Sequence, residues 1–128
     1  MRHIKLFEKF NQNQIDIIED LFMMYFVDEW GALDTLKVPK ETGEDYQNYL
    51  KIPITYRFSF DEQHSNFVRF ALFVSVDLVD MSKLLSDIQK FIDRVRVSLK
   101  SDTFSCRAGF QESNSGVKKK VYMIRFTI

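Results

Sequence analysis

The sequence predicts an α+β fold: a two-layer sandwich in α-β-β-α-β-β order. An antiparallel four-stranded sheet carries two helices on one of its faces. Two observations lead to this reading. Four stretches alternate apolar and polar residues with a period of two, the mark of a strand with one dry face and one wet face. Two others repeat apolar residues every three or four positions, the mark of an amphipathic helix.

The 128 residues suit one domain with its own core. Thirteen Phe among them predict a core packed largely with aromatic rings. Residues 1–11, MRHIKLFEKFN, form an N-terminal arm, and residues 12–128 form the domain. Ile4, Phe7 and Phe10 fall at helical spacing, so the arm reads as a frayed terminus with one or two anchoring aromatics, a short helical lead-in, or a mobile segment that docks on a partner.

The first helix is predicted from Gln14 to Trp30, with Asn13 as N-cap and Gly31 as the residue that ends it. Ile15, Ile18, Phe22, Tyr25 and Phe26 mark its inner side, and the Met23–Met24 pair is read as core filling. Leu33–Val38 is a short edge strand stopped by Pro39, and residues 39–49 form an acidic loop. Ile52–Phe60 and Phe67–Leu78 are alternating runs joined by a short polar connection, which makes them a hairpin. Asp80 caps a second helix, Met81–Leu99, whose inner face holds Leu84, Ile88, Phe91 and Val95 and whose outer face carries Lys83, Asp87, Lys90 and Arg94. Thr103–Gln111 and Val117–Ile128 are the last two strands, joined by a turn rich in Ser, Asn and Gly.

A right-handed crossover through the second helix sets Thr103–Gln111 parallel to Phe67–Leu78, and the last strand fills the gap between them. The predicted sheet order is 103–111, 117–128, 67–78, 52–60. This is a ferredoxin-like fold circularly permuted so that its first strand comes last. The alternative sets the two hairpins side by side in chain order.

Lys and Arg number 18 and so do Asp and Glu, so the net charge is zero and gives no global pull toward nucleic acid or an anionic membrane. The charges are unevenly distributed. Residues 1–49 hold five Lys/Arg against ten Asp/Glu, and residues 50–128 hold thirteen against eight. A single Cys rules out an intramolecular disulfide and points to a reducing compartment. No apolar run reaches the roughly 20 residues of a membrane span, and the start lacks the apolar centre of a secretory signal. The chain reads as a soluble intracellular protein with no membrane attachment.

Chemistry-bearing motifs are sparse. His3 and His64 lie far apart in the chain and one Cys cannot complete a structural zinc site, so neither a metal nor a cofactor is expected. Cys106 falls in the apolar register of its strand and reads as a small buried residue. The glycines are isolated, which leaves no phosphate loop. The chain is therefore read as a non-enzyme.

The signal that remains is the wet register of the sheet. It takes Arg57, Arg69, Arg107 and Arg125, one from each strand, with Phe73 and Met123 beside them and Lys118–Lys120 as an extension. Arginine beside aromatic and Met side chains fits a protein interface, self-association included. It also fits single-stranded nucleic acid held by phosphate pairing and base stacking. A solvated sheet face, with arginine stems covering apolar surface, accounts for the same residues.

IKLFEKF near the start, the IIEDLF and DEWG stretches of the first helix and FIDRVR in the second resemble small proteins of large T-even-like tailed phages. That resemblance implies a phage accessory or virion-associated protein, acting in the cytoplasm of a bacterial host or on the virion. It carries over no functional residues and implies a binding role rather than catalysis.

Overall fold

A computed structural model describes residues 10–37, 52–60, 67–99, 104–112 and 118–127. Helix α1 spans Gln12–Phe22. A π-helical turn over Met23–Asp28 continues it. Strands β1 (Leu33–Asp34), β2 (Ile54–Phe60) and β3 (Phe67–Val74) follow. Helix α2 is Met81–Leu99, and strands β4 (Phe104–Glu112) and β5 (Lys118–Thr127) complete the fold. The sheet order is β1-β2-β3-β5-β4. The four long strands stand in the order that the alternation and the crossover predict, and all their mutual pairings are antiparallel. The sheet is nevertheless five-stranded and mixed rather than four-stranded and antiparallel, because Leu33–Asp34 pairs parallel with Thr55–Tyr56.

Helix α1 begins earlier than its periodicity predicts. Asn11, not Asn13, is the N-cap. Its Oδ1 accepts from the Gln14 N–H at 2.9 Å, and Gln14 Oε1 accepts from the Asn11 N–H at 3.0 Å, a reciprocal capping box. Phe10, just before it, is buried in the core. Residues 1–9 of the expected arm lie outside the described residues. The π-helical turn widens the helix by about one residue per turn, which keeps Phe22, Phe26 and Trp30 on the inner side. Gly31, at φ +68°, ends the helix as predicted.

The core lies between the helices and the face of the sheet that carries Val68, Phe70, Leu72 and Val74. Five phenylalanines link the layers. Phe22 of α1 stacks on Phe70 of β3 with ring centroids 4.1 Å apart and planes 7° apart. Phe91 of α2 meets the edges of Phe22, Phe26, Phe70 and Phe126 at 5.4–5.9 Å. Offset-stacked and edge-to-face pairs each add about 0.5–1.5 kcal/mol beyond burial.

A second contact joins the helix ends. Trp30 Nε1–H donates to Asp87 Oδ2 at 2.8 Å, and Lys83 Nζ pairs with Glu29 Oε1 at 3.1 Å. Lys83 also lies 5.0 Å from the Trp30 ring. Asp87 is thus buried and bonded, not part of the solvated outer face that helical spacing assigns it to.

Several other expectations are corrected. Strand β3 stops at Val74 because Ser75–Leu78 turn back to present Asp80, whose Oδ1 caps the Lys83 N–H at 3.2 Å. Val76 and Leu78 are consequently exposed, although they continue the apolar alternation. The first edge strand is cut to two residues by a 3₁₀ turn at Thr35–Lys37, and Leu36 is 89% exposed. Met23 and Met24 are 37% and 47% exposed, so they do not fill the core. Cys106 is exposed although it lies in the dry register opposite Ile124, because it stands on the outermost strand, β4. Partial burial still pushes the thiol pKa up, which disfavours the thiolate. The loop at 39–49, His3, His64 and Ile128 lie outside the described residues.

Replacing Trp30 by Phe keeps the ring but strips Asp87 of its donor. We expect a loss of about 1–3 kcal/mol in urea unfolding followed by circular dichroism, the cost of a buried group left unbonded. Phe91→Ala removes the ring that joins both layers, with an expected loss of about 3–5 kcal/mol.

Candidate interaction face

The pleat of each strand sends one register to the core and the other to the opposite face. Register fixes which residues become neighbours there. Ser59, Arg69 and Arg125 lie side by side across β2, β3 and β5. Arg57, Ala71, Met123 and Arg107 form the next row, across β2, β3, β5 and β4. Thr55, Phe73, Val121 and Gly109 form the third. All six residues singled out from the sequence therefore share one face: Arg57, Arg69, Phe73, Arg107, Met123 and Arg125. Arg57, Arg107 and Arg125 are exposed, and Arg69, Phe73 and Met123 are half-buried.

The face has a shallow relief. A hollow of about 270 Å³ is lined by Arg57, Ser59, Arg69, Ala71, Phe73, Val121 and Met123. Its floor is apolar and its rim carries two guanidinium groups. Arg69 Nε–H donates to Ser59 Oγ at 3.3 Å, which orients that side chain across the rim. Phe67, at the end of this face, lies beside the two central arginines. The Arg125 guanidinium is 4.5 Å from its ring centroid and that of Arg69 is 6.0 Å away. Its position at the start of the wet register is the sequence signal for this placement.

The electrostatics of this face are one-sided. No Asp or Glu occupies the wet register of β2, β3, β4 or β5. None of the four arginines is ion-paired with a described carboxylate. Arg69 and Arg125 are direct cross-strand neighbours, an arrangement that like charges disfavour.

The face is not open along its whole length. Thr55 is fully buried and Lys119 is 5% exposed. Burial pushes the Lys119 ammonium below the usual lysine pKa. Lys120 points to the other face, its ammonium 5.5 Å from the Tyr122 ring. Lys119 and Lys120 therefore do not extend the arginine surface. The open part is the end bearing Phe67 and the four arginines.

A second hollow, of about 360 Å³, opens between α1 and the β2 edge and is lined by residues that include Glu19, Met23, Asp34, Leu36 and Tyr56. Tyr56 Oη–H donates to Met23 Sδ at 3.8 Å. The Tyr56 pKa is raised by burial and by the carboxylates of Asp34 and Glu19. Glu19 is itself pushed up, by burial first and then by Asp16 and Asp20.

Among the described residues no group of His, Cys, Asp and Glu is arranged to hold a metal ion. No described helix is long and apolar enough to cross a membrane. No family model, curated protein or solved structure matches the chain.

Glu19 yields a signed prediction. Its folded pKa lies above 4.5, so between that value and the raised one the folded chain holds the extra proton. Ionised Glu19 is therefore a net cost at neutral pH. Glu19→Gln should stabilise the protein at pH 7 by a few tenths of a kcal/mol, roughly the scale of a like-charge helix pair. The gain should disappear as pH falls through 4.5, measured as the difference in unfolding midpoint between variant and parent.

Proposed function

We propose that this chain is a non-enzymatic interaction module that holds an acidic, partly apolar protein segment on its arginine face. One observation carries the reading: four arginines, one from each long strand, meet on two adjacent rows with no acidic residue among them. Buried apolar floor inside a charged rim is what a partner with one apolar side chain between carboxylates would fill. Zero net charge supports a protein partner over general polyanion binding, because a domain selected for nucleic acid usually carries a net basic charge. In this proposal the module works in the cytoplasm of a bacterial host or on a phage virion, the setting implied by its phage-like stretches.

Single-stranded nucleic acid is the second reading, favoured by the placement of Phe67 beside two guanidinium groups, where a base and its phosphates could be held together.

Titration of labelled ligands separates the two. A peptide of alternating Asp/Glu and Phe/Leu should bind, and Arg69→Gln with Arg125→Gln should weaken it by about tenfold or more, the scale of two lost ion pairs. An oligonucleotide of equal charge should bind more weakly. Tighter binding of the oligonucleotide would replace the protein reading by the nucleic-acid one, and binding of either that ignores both substitutions would remove the face from consideration.

A further inference from the structure

We infer that the partner of the arginine face is a second copy of this chain, docked through the outer side of its helix α1, so that copies add head to tail. The inference rests on the reading of the arginine face as a protein-binding surface and names its occupant.

The helices cover one side of the sheet and the arginines lie on the other. The surface of α1 that faces away from the sheet therefore lies on the opposite side of the molecule from the arginine face. That surface is acidic. Ile15, Ile18 and Phe22 point into the core, and Asp16, Asp20 and Met24 recur at four-residue steps on the exposed side. The two surfaces have opposite charge, which gives them complementary potentials.

Spacing matches as well as sign. Residues four apart on a helix are about 6 Å apart along its axis. Alternate residues on a strand are about 6.8 Å apart. Asp16 and Asp20 thus repeat at nearly the same interval as two neighbouring cross-strand rows, and Met24 follows them at the start of the π-helical turn. Laid along β3, Asp16 meets the Arg69–Arg125 row, and Asp20 meets the row holding Arg57 and Arg107. Met24 then meets the apolar floor at Phe73 and Val121. The exposure of Met24 gains a purpose, since an unbranched thioether adapts readily to a shallow apolar hollow.

The contact is heterologous. A two-fold dimer through the arginine face would set arginine against arginine, and one through α1 would set carboxylate against carboxylate. Only the mixed pairing brings opposite charges together. Because its two halves lie on opposite sides of the molecule, each added copy leaves a free half at either end, so the chain of copies stays open unless its rotation closes a ring. The acidic group on α1 accords with this. Asp16 and Asp20 already raise the pKa of Glu19, and guanidinium groups from a neighbour would relieve that repulsion.

Two variants test it. One carries Arg69→Glu and Arg125→Glu, which spoils the sheet half. The other carries Asp16→Lys and Asp20→Lys, which spoils the helix half. The parent should show concentration-dependent growth in sedimentation velocity near 0.01 M salt. That growth should be lost near 1 M salt, where the screening length falls from about 30 Å to about 3 Å. Each variant alone should sediment as a monomer. An equimolar mixture should regain the growth, because the intact acidic helix meets the intact arginine face and the two charge-reversed halves match each other as well. Circular dichroism confirms that both variants are folded, and Arg69→Gln with Arg125→Gln repeats the test without charge reversal.

A mixture that stays monomeric overturns the inference, as does a sheet-face variant that still polymerises. If the parent is monomeric but the acidic peptide still binds in an Arg69- and Arg125-dependent way, the self-docking fails and the interaction face stands. If neither binds, both fall.

Discussion

The pleat of β3 is the constraint on which this molecule depends. It sends Phe70 to one side of the sheet and its chain neighbour Arg69 to the other. On the first side, Phe70 stacks on Phe22 at 4.1 Å and joins the ring cluster that binds both helices to the sheet. On the second, Arg69 lies beside Arg125 and over a hollow with an apolar floor. A register slip of one residue would exchange these two sets and put guanidinium groups in the core. The packed core and the arginine surface are thus separated by about the thickness of one sheet, and the same hydrogen-bond ladders position both.

This separation accounts for a cost the fold carries. Arg69 and Arg125 are direct neighbours, and Asp16, Glu19 and Asp20 crowd one helix surface. Neither arrangement strengthens the domain, since like charges at these spacings are mildly destabilising. Proteins retain such local conflicts where a surface serves a partner. The two like-charged groups have opposite sign and lie on opposite layers, so a contact between copies would relieve both at once.

The sequence made most of the sheet legible because alternation is unambiguous where one face is dry. Val68 to Val74 and Tyr122 to Phe126 show it, and pairing those strands was enough to bring the four arginines together. Local capping also read well at Asp80 and Gly31. What periodicity could not see was where an element stops. Val76 and Leu78 extend the apolar pattern of β3, but the backbone needs those residues to turn toward α2. Asp87 looked solvent-facing because helical spacing does not reveal that Trp30 reaches across to it. Met23 and Met24 read as core because Met is apolar, whereas a π-helical turn gives the inner side to Phe22 and Phe26 and leaves both Met side chains at the surface. Phe67 gained its role only once register set it beside two guanidinium groups.

If the arginine face serves a partner, as proposed, it contributes little to folding. The direct measurement is urea unfolding of a variant with Gln at Arg57, Arg69, Arg107 and Arg125 together. Relief of like-charge repulsion and loss of the Phe67 contacts are each worth less than about 1 kcal/mol and oppose one another. The account therefore predicts a stability within about 1 kcal/mol of the parent, with an unchanged slope. A loss of more than about 2 kcal/mol, beyond the usual range for surface substitutions, would show that the arginines are structural and would contradict the account.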